Sequence, residues 1–135
     1  MTTAASSPTP PLATRRRDRA LAVAAATVAA SIVSLLAPAP VVVMGGQPPM
    51  TIGLPMVAGF TLVLSLLGWA ALALLERFTA RARTAWTSLS VVVLALSLVP
   101  PLSATATTGA KLVLCAMHVV AGAALIPLLR RTARR

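Results

Sequence analysis

The chain has 135 residues, 58% of them hydrophobic and only 10% charged, with a mean hydropathy of +0.90. A water-soluble domain carries about a quarter charged residues, so this composition excludes a soluble globule and makes lipid the solvent. The net charge of +10 does not point to nucleic acid, because two Phe, two Trp and no Tyr leave few stacking platforms and the basic residues sit in short clusters beside apolar runs.

Residues 1–19 begin with M-T-T-A-A-S-S-P-T-P-P-L-A-T, rich in Thr, Ser, Pro and Ala, and end with Arg15, Arg16, Arg17 and Arg19 around Asp18. The stretch has no periodicity and little to bury, so a disordered basic tail is expected. Residues 20–37 are uncharged and apolar, about 27 Å if helical, close to the ~30 Å hydrocarbon core. Ala37-Pro38-Ala39 resembles a signal-peptide cleavage site. The apolar run exceeds the usual ~7–15 residues, however, and cleavage would leave Pro40 first, so an uncleaved first span is expected.

Residues 38–51 hold four Pro and two Gly and no charge, which ends the helix and makes an apolar loop. A second span is predicted over 52–75, with Pro55 in its first turn, where a missing N–H costs little. The stretch G-W-A-A-L-A-L-L-E-R-F-T-A-R-A-R-T-A-W at 68–86 then leaves one apolar run, crosses Glu76, Arg77, Arg81 and Arg83, and enters another, with Trp69 and Trp86 flanking the charges. It reads as the turn of a helical hairpin, with Trp86 anchoring the third span at the headgroups. That span is predicted at 84–99 and is closed by Pro100-Pro101; residues 100–109 form a small polar loop. The fourth span is predicted at 110–129, with a basic tail at 130–135.

Of the 12 basic residues, 11 are Arg, and all 11 fall in the N-terminal segment, the central turn or the C-terminal tail; Lys111 alone lies at the opposite mouth. The positive-inside rule therefore predicts an all-α integral membrane four-helix bundle, up-down-up-down, with both termini and the central turn in the cytoplasm. The Arg bias with abundant Ala and Val suggests a high-GC bacterial genome, hence a multi-pass protein of the bacterial cytoplasmic membrane.

Each span carries a line of small or polar residues at steps of three and four: Thr27, Ser31 and Ser34; then Thr61, Ser65, Gly68, Leu72 and Glu76; then Thr87, Ser90, Leu94 and Ser97; then Lys111, Cys115, His118 and Gly122. Such lines are either packing seams or the lining of a small polar cavity. Glu76 is the one acid within or beside a span, and it reads either as a turn charge paired with Arg77, Arg81 or Arg83, or as an ionisable ligand or proton site. His118 reads as a neutral imidazole bonded to a neighbouring Ser or Thr, or as a proton relay or haem ligand. One cysteine excludes an internal disulfide, and one histidine excludes a His-rich metal site. No phosphate loop, nucleophile elbow or zinc motif is present, so no catalytic residue and no cofactor is assigned.

The segments at 68–77 (G-W-A-A-L-A-L-L-E-R), 81–86 (R-A-R-T-A-W), 101–105 (P-L-S-A-T) and 117–118 (M-H) resemble an actinobacterial family of small four-helix membrane proteins of unknown function. The resemblance covers roughly residues 15 to 131 and implies that Trp69, Glu76, Arg77, Trp86 and His118 matter together. The resulting expectation is a non-enzymatic accessory or lipid-interacting membrane component. Arg15, Arg16, Arg17, Arg81, Arg83, Arg130 and Arg131 would contact anionic headgroups at the cytoplasmic face. An oligomeric small transporter or channel subunit using Glu76 and His118 is the alternative. The expected partners are the bilayer itself and either a second copy or another membrane protein, with no nucleic acid.

Overall fold

Inside a bilayer no water satisfies a backbone N–H or C=O, so an apolar run of this length must close its hydrogen bonds within itself as a helix. The structure, a computed structural model, describes residues 12–43 and 47–134. In chain order they form α1 (Leu12–Leu36), β1 (Val41–Val42), β2 (Met50–Thr51), α2 (Leu54–Phe78), α3 (Ala82–Ser97), α4 (Val99–Ser103) and α5 (Thr108–Thr132). α1, α2 and α5 have 25 residues each, and Ala82–Ser103 makes a fourth apolar rod of 22. All four are long and apolar enough to cross a membrane.

The boundaries differ from the sequence expectation in three places. α1 starts at Leu12, so Arg15, Arg16, Arg17 and Arg19 are helical rather than part of a disordered tail. Leu, Ala and Arg are strong helix formers, and the buried side chain of Arg19 ties this stretch to the bundle. Residues 1–11 of the predicted tail, and Arg135, lie outside the described residues. Second, the predicted polar loop at 100–109 opens with a further helical turn. Pro100 has no N–H to give to residue 96 and its ring crowds that carbonyl, so α3 ends at Ser97. The same residue is well placed in the first turn of α4. Third, the proline-rich 38–51 loop contains a short antiparallel ribbon, pairing Val41 with Thr51 and Val42 with Met50. The ribbon is tied across the bundle end, Val43 and Thr105 exchanging N–H···O bonds of 3.0 and 3.2 Å, and Ile52 N–H donating to Pro40 O at 2.8 Å.

α2 and α3 are joined by a tight turn in which the Thr79 N–H donates to Leu75 O at 2.9 Å and Thr79 Oγ1 accepts from the Arg81 N–H at 3.1 Å. α1 lies mainly against α5 and α2, and α3 packs more lightly on the same two helices. α1 approaches closely because Ala22, Ala26 and Ala30, one turn apart, are 1%, 0% and 1% exposed. Two other small residues mark close approaches. The indole of Trp86 lies over Gly68, and Leu94 sits against Gly122, where an added Cβ would meet it at 2.9 Å. One apolar cluster, Ala22, Leu72, Trp86 and Leu129, closes the bundle near the charged turn. A second, Ala30, Val57 and Met117, closes it towards the ribbon.

The burial pattern is inverted relative to a soluble bundle. Leu36, Phe60 and Leu96 are exposed, whereas Arg19, Ser65 and Ser90 are buried. Lipid supplies the apolar surroundings outside, so helix association falls to close packing and internal polar contacts.

The alanine seam generates a direct test. Ala26→Leu overfills a contact with no free space and should destabilise the bundle by about 1–3 kcal/mol. Ala24→Leu, on the exposed face of α1, should leave stability unchanged. Thermal unfolding of the two variants in the same detergent reads the difference.

Candidate functional site

Glu76 lies in the last turn of α2, at the end of an apolar run, where a lone carboxylate is costly. Its partner comes from α1: Arg19 Nη2 lies 2.7 Å from Glu76 Oε1, and the two side chains are 7% and 10% exposed. The same guanidinium reaches the end of α5, donating from Nε to Thr132 Oγ1 at 3.0 Å and from Nη2 to Thr132 O at 3.2 Å. Glu76 Oε1 also accepts the backbone N–H of Arg134 at 2.9 Å. Thr132 in turn donates its hydroxyl to Leu129 O at 2.8 Å. One ion pair thus locks the start of α1, the end of α2 and the end of α5 together.

This corrects the expectation that Glu76 pairs with Arg77, Arg81 or Arg83. Adjacent residues on a helix diverge by about 100°, and Arg77 is turned outward. Arg81 is exposed, and Arg83 is half-buried with its Nε lacking a partner among the described residues. Arg19 was the residue that sequence reasoning missed. The available signal is its position: it is the last basic residue before the apolar run, and the steps of three, four and four from it through Ala22, Ala26 and Ala30 keep one helical face.

The remaining expected residues are dispersed. Trp86 is 3% exposed and packs inside the bundle instead of anchoring at the headgroups, and its Nε1 has no partner among the described residues. Trp69 is half-buried. Ser90 Oγ, one turn along α3 from Trp86, is likewise buried without a partner. Arg83, Trp86 and Ser90 follow at steps of three and four, so they share one face of α3. Arg16, Arg17, Arg130 and Arg131 are exposed and Arg15 is half-buried, all at the end that holds Glu76.

His118 is not brought near Glu76. It stands about 21 Å along α5 from Thr132, towards the end where α4 and the ribbon lie. Its Nδ1 lies 2.8 Å from Leu114 O, one turn back on its own helix, rather than on a Ser or Thr. Cys115 is a half-buried free thiol. Among the described residues no group of three His, Cys, Asp or Glu side chains could hold a metal. Lys111 does not project freely: its Nζ donates to Leu102 O at 3.0 Å and caps the end of α4.

The buried pair predicts strong coupling. Arg19→Ala or Glu76→Ala leaves one buried charge unpaired and should cost about 3–5 kcal/mol. The double replacement Arg19→Met with Glu76→Met removes both charges and should recover most of that loss. Unfolding of the set in one detergent measures it.

No curated protein and no solved structure matches the chain. The family model that does match covers residues 10–135, extending the resemblance read from the hairpin and the M-H pair over nearly the whole length. With four apolar helices and a match of this extent, the chain belongs to the family of unknown function DUF6069.

Proposed function

We propose that the protein is a non-enzymatic accessory component of the bacterial cytoplasmic membrane that gathers anionic lipid headgroups around its cytoplasmic end. The carrying observation is charge segregation. Arg19 neutralises Glu76, the one acid of the central turn, within the bundle. The exposed Arg16, Arg17, Arg77, Arg81, Arg130 and Arg131 are left as an outward collar, with exposed Asp18 the other acid of the chain. At the headgroup level such a collar attracts anionic lipid by about 1 kcal/mol per basic residue. Arg15 and Arg83, both half-buried, stand at the rim of the same end.

The transporter reading draws less support. Its key carboxylate is engaged by two donors, Arg19 Nη2 and the Arg134 N–H. His118 lies near the middle of α5, about 21 Å along the helix from Thr132 and too far from Glu76 to act with it in one step. No acid occupies the middle of a span.

The lipid reading is tested by native mass spectrometry of the full chain released from bilayers of mixed phosphatidylglycerol and phosphatidylcholine. The wild type should retain phosphatidylglycerol in excess over its share of the bilayer. The variant Arg16→Gln, Arg17→Gln, Arg130→Gln, Arg131→Gln should lose that excess while keeping its helical content. Equal retention of both lipids by the wild type, or an unchanged excess in the variant, refutes the reading. A defined oligomer without bound anionic lipid would favour the transporter instead.

A further inference from the structure

Lipid gives helices no hydrophobic reason to associate, so close packing and polar contacts hold a bundle together. α1, α2 and α5 have both, through the alanine seam of α1 and the clasp of Arg19, Glu76 and Thr132. α3 has packing alone, and packs more lightly than α1. Among the described residues its side-chain hydrogen bonds, from Thr87 to Arg83 O and from Ser97 to Leu94 O, stay within the helix itself.

α3 also carries polar atoms into the bundle without pairing them. Arg83 Nε, Trp86 Nε1 and Ser90 Oγ are buried and have no hydrogen-bond partner among the described residues. The first two are N–H donors and cannot satisfy each other. The acid closest to them in sequence, Glu76, is already engaged by Arg19 and by the Arg134 N–H. A buried donor left unpaired costs the full loss of its water, so each of these atoms weighs against the docked position of α3.

The two ends of α3 differ in what they allow. Arg83 and Trp86 lie only about 1.5 and 6 Å along the helix from Ala82, its first residue. A small outward tilt at the collar end therefore brings both to the oxygen acceptors of the headgroup layer. At the far end, Pro100 and Pro101 have no N–H to extend the ladder of α3, which leaves a pivot there. Beyond the pivot α4 is fixed, by Lys111 Nζ on Leu102 O and by the Val43–Thr105 exchange. The short turn between Phe78 and Ala82 limits how far the free end travels.

We propose that α3 is the moving part of the bundle, a helix that tilts outward about the proline break while α1, α2 and α5 stay clasped. The tilt lifts the indole of Trp86 off Gly68 and opens a slot at the collar end, floored by Gly68, Leu72 and Leu125. Nothing in this depends on the binding of anionic lipid, and either proposal can fail alone.

Pulsed electron spin resonance on the full chain in lipid nanodiscs tests the tilt, with Cys115→Ser removing the native thiol. Spin labels on Ala24→Cys and Ser88→Cys, exposed positions of α1 and α3, should give a main distance and a longer minor one. Labels on Ala24→Cys and Ala73→Cys, exposed positions of α1 and α2, should give a single distance. Trp86→Phe keeps an aromatic ring over Gly68 and removes its N–H, and Arg83→Met keeps the stem and removes the guanidinium. Each should cut the longer population about fivefold or more, the worth of one buried donor no longer left unpaired. Gly68→Leu, which wedges beneath the indole, should make the longer distance dominant. The proposal is overturned if the α1–α3 pair gives one distance in the wild type, if both pairs lengthen together, or if Trp86→Phe and Arg83→Met leave the longer population unchanged. Should Gly68→Leu fail to fold, the wild type and the other two variants still decide.

Discussion

A guanidinium and a carboxylate stay ionised inside a bundle of apolar helices only if each meets the other at hydrogen-bond distance. Arg19 and Glu76 do so at 2.7 Å, and their position fixes much else. The pair draws the first turns of α1 into the bundle, although their sequence resembles a solvated tail. It holds the last turn of α5 through Thr132 and reaches the chain beyond it at Arg134. Association inside lipid lacks a hydrophobic drive, so a charged clasp at one end and an alanine seam along α1 carry a large share of the work. With the internal acid satisfied by Arg19, the exposed Arg16, Arg17, Arg77, Arg81, Arg130 and Arg131 face outward, while Arg15 and Arg83 stay half-buried.

The two ends are built on different principles. At the turn end, charge is concentrated and side chains make the ties. At the ribbon end, backbone groups make them, through the Val43–Thr105 exchange and the Ile52–Pro40 bond, and Lys111 is spent on capping α4. Backbone groups of an irregular loop need partners, and the short ribbon supplies some of them here.

The four apolar helices were legible in the sequence because hydropathy over some twenty residues is a strong signal. The seams were legible only in part. The predicted lines through Ser65, Gly68 and Leu72 on α2, and through Ser90 and Leu94 on α3, do face neighbours, since Ser65, Leu72 and Ser90 are buried and Leu94 meets Gly122. On α1 the polar line of Thr27, Ser31 and Ser34 is half-buried beside the closest face. Thr27 bonds Val23 O on its own helix, and the close face belongs to Ala22, Ala26 and Ala30. Alanine is so common in this chain that its spacing carried little information. The partner of Glu76 was hidden for another reason: three arginines stood closer in sequence, and only the packing of α1 against α2 selects Arg19. Trp86 was misread because an indole beside a charged turn looks like a headgroup anchor. The glycine one helix away, which makes room for it, is visible only in three dimensions.

The bonds from Arg19 to Thr132 span 113 residues. A chain emerging from the ribosome therefore contains α1 long before Thr132, the second partner of Arg19, exists. α2 brings Glu76 first, so the charge is matched midway through synthesis, with the guanidinium still short of its other acceptors. Closure of the bundle waits for α5, because α1 lies mainly against that helix. Chain order thus makes the charge clasp between α1 and α2 available before the last helix can be captured. The residue that looks like part of a tail is the one that records completion.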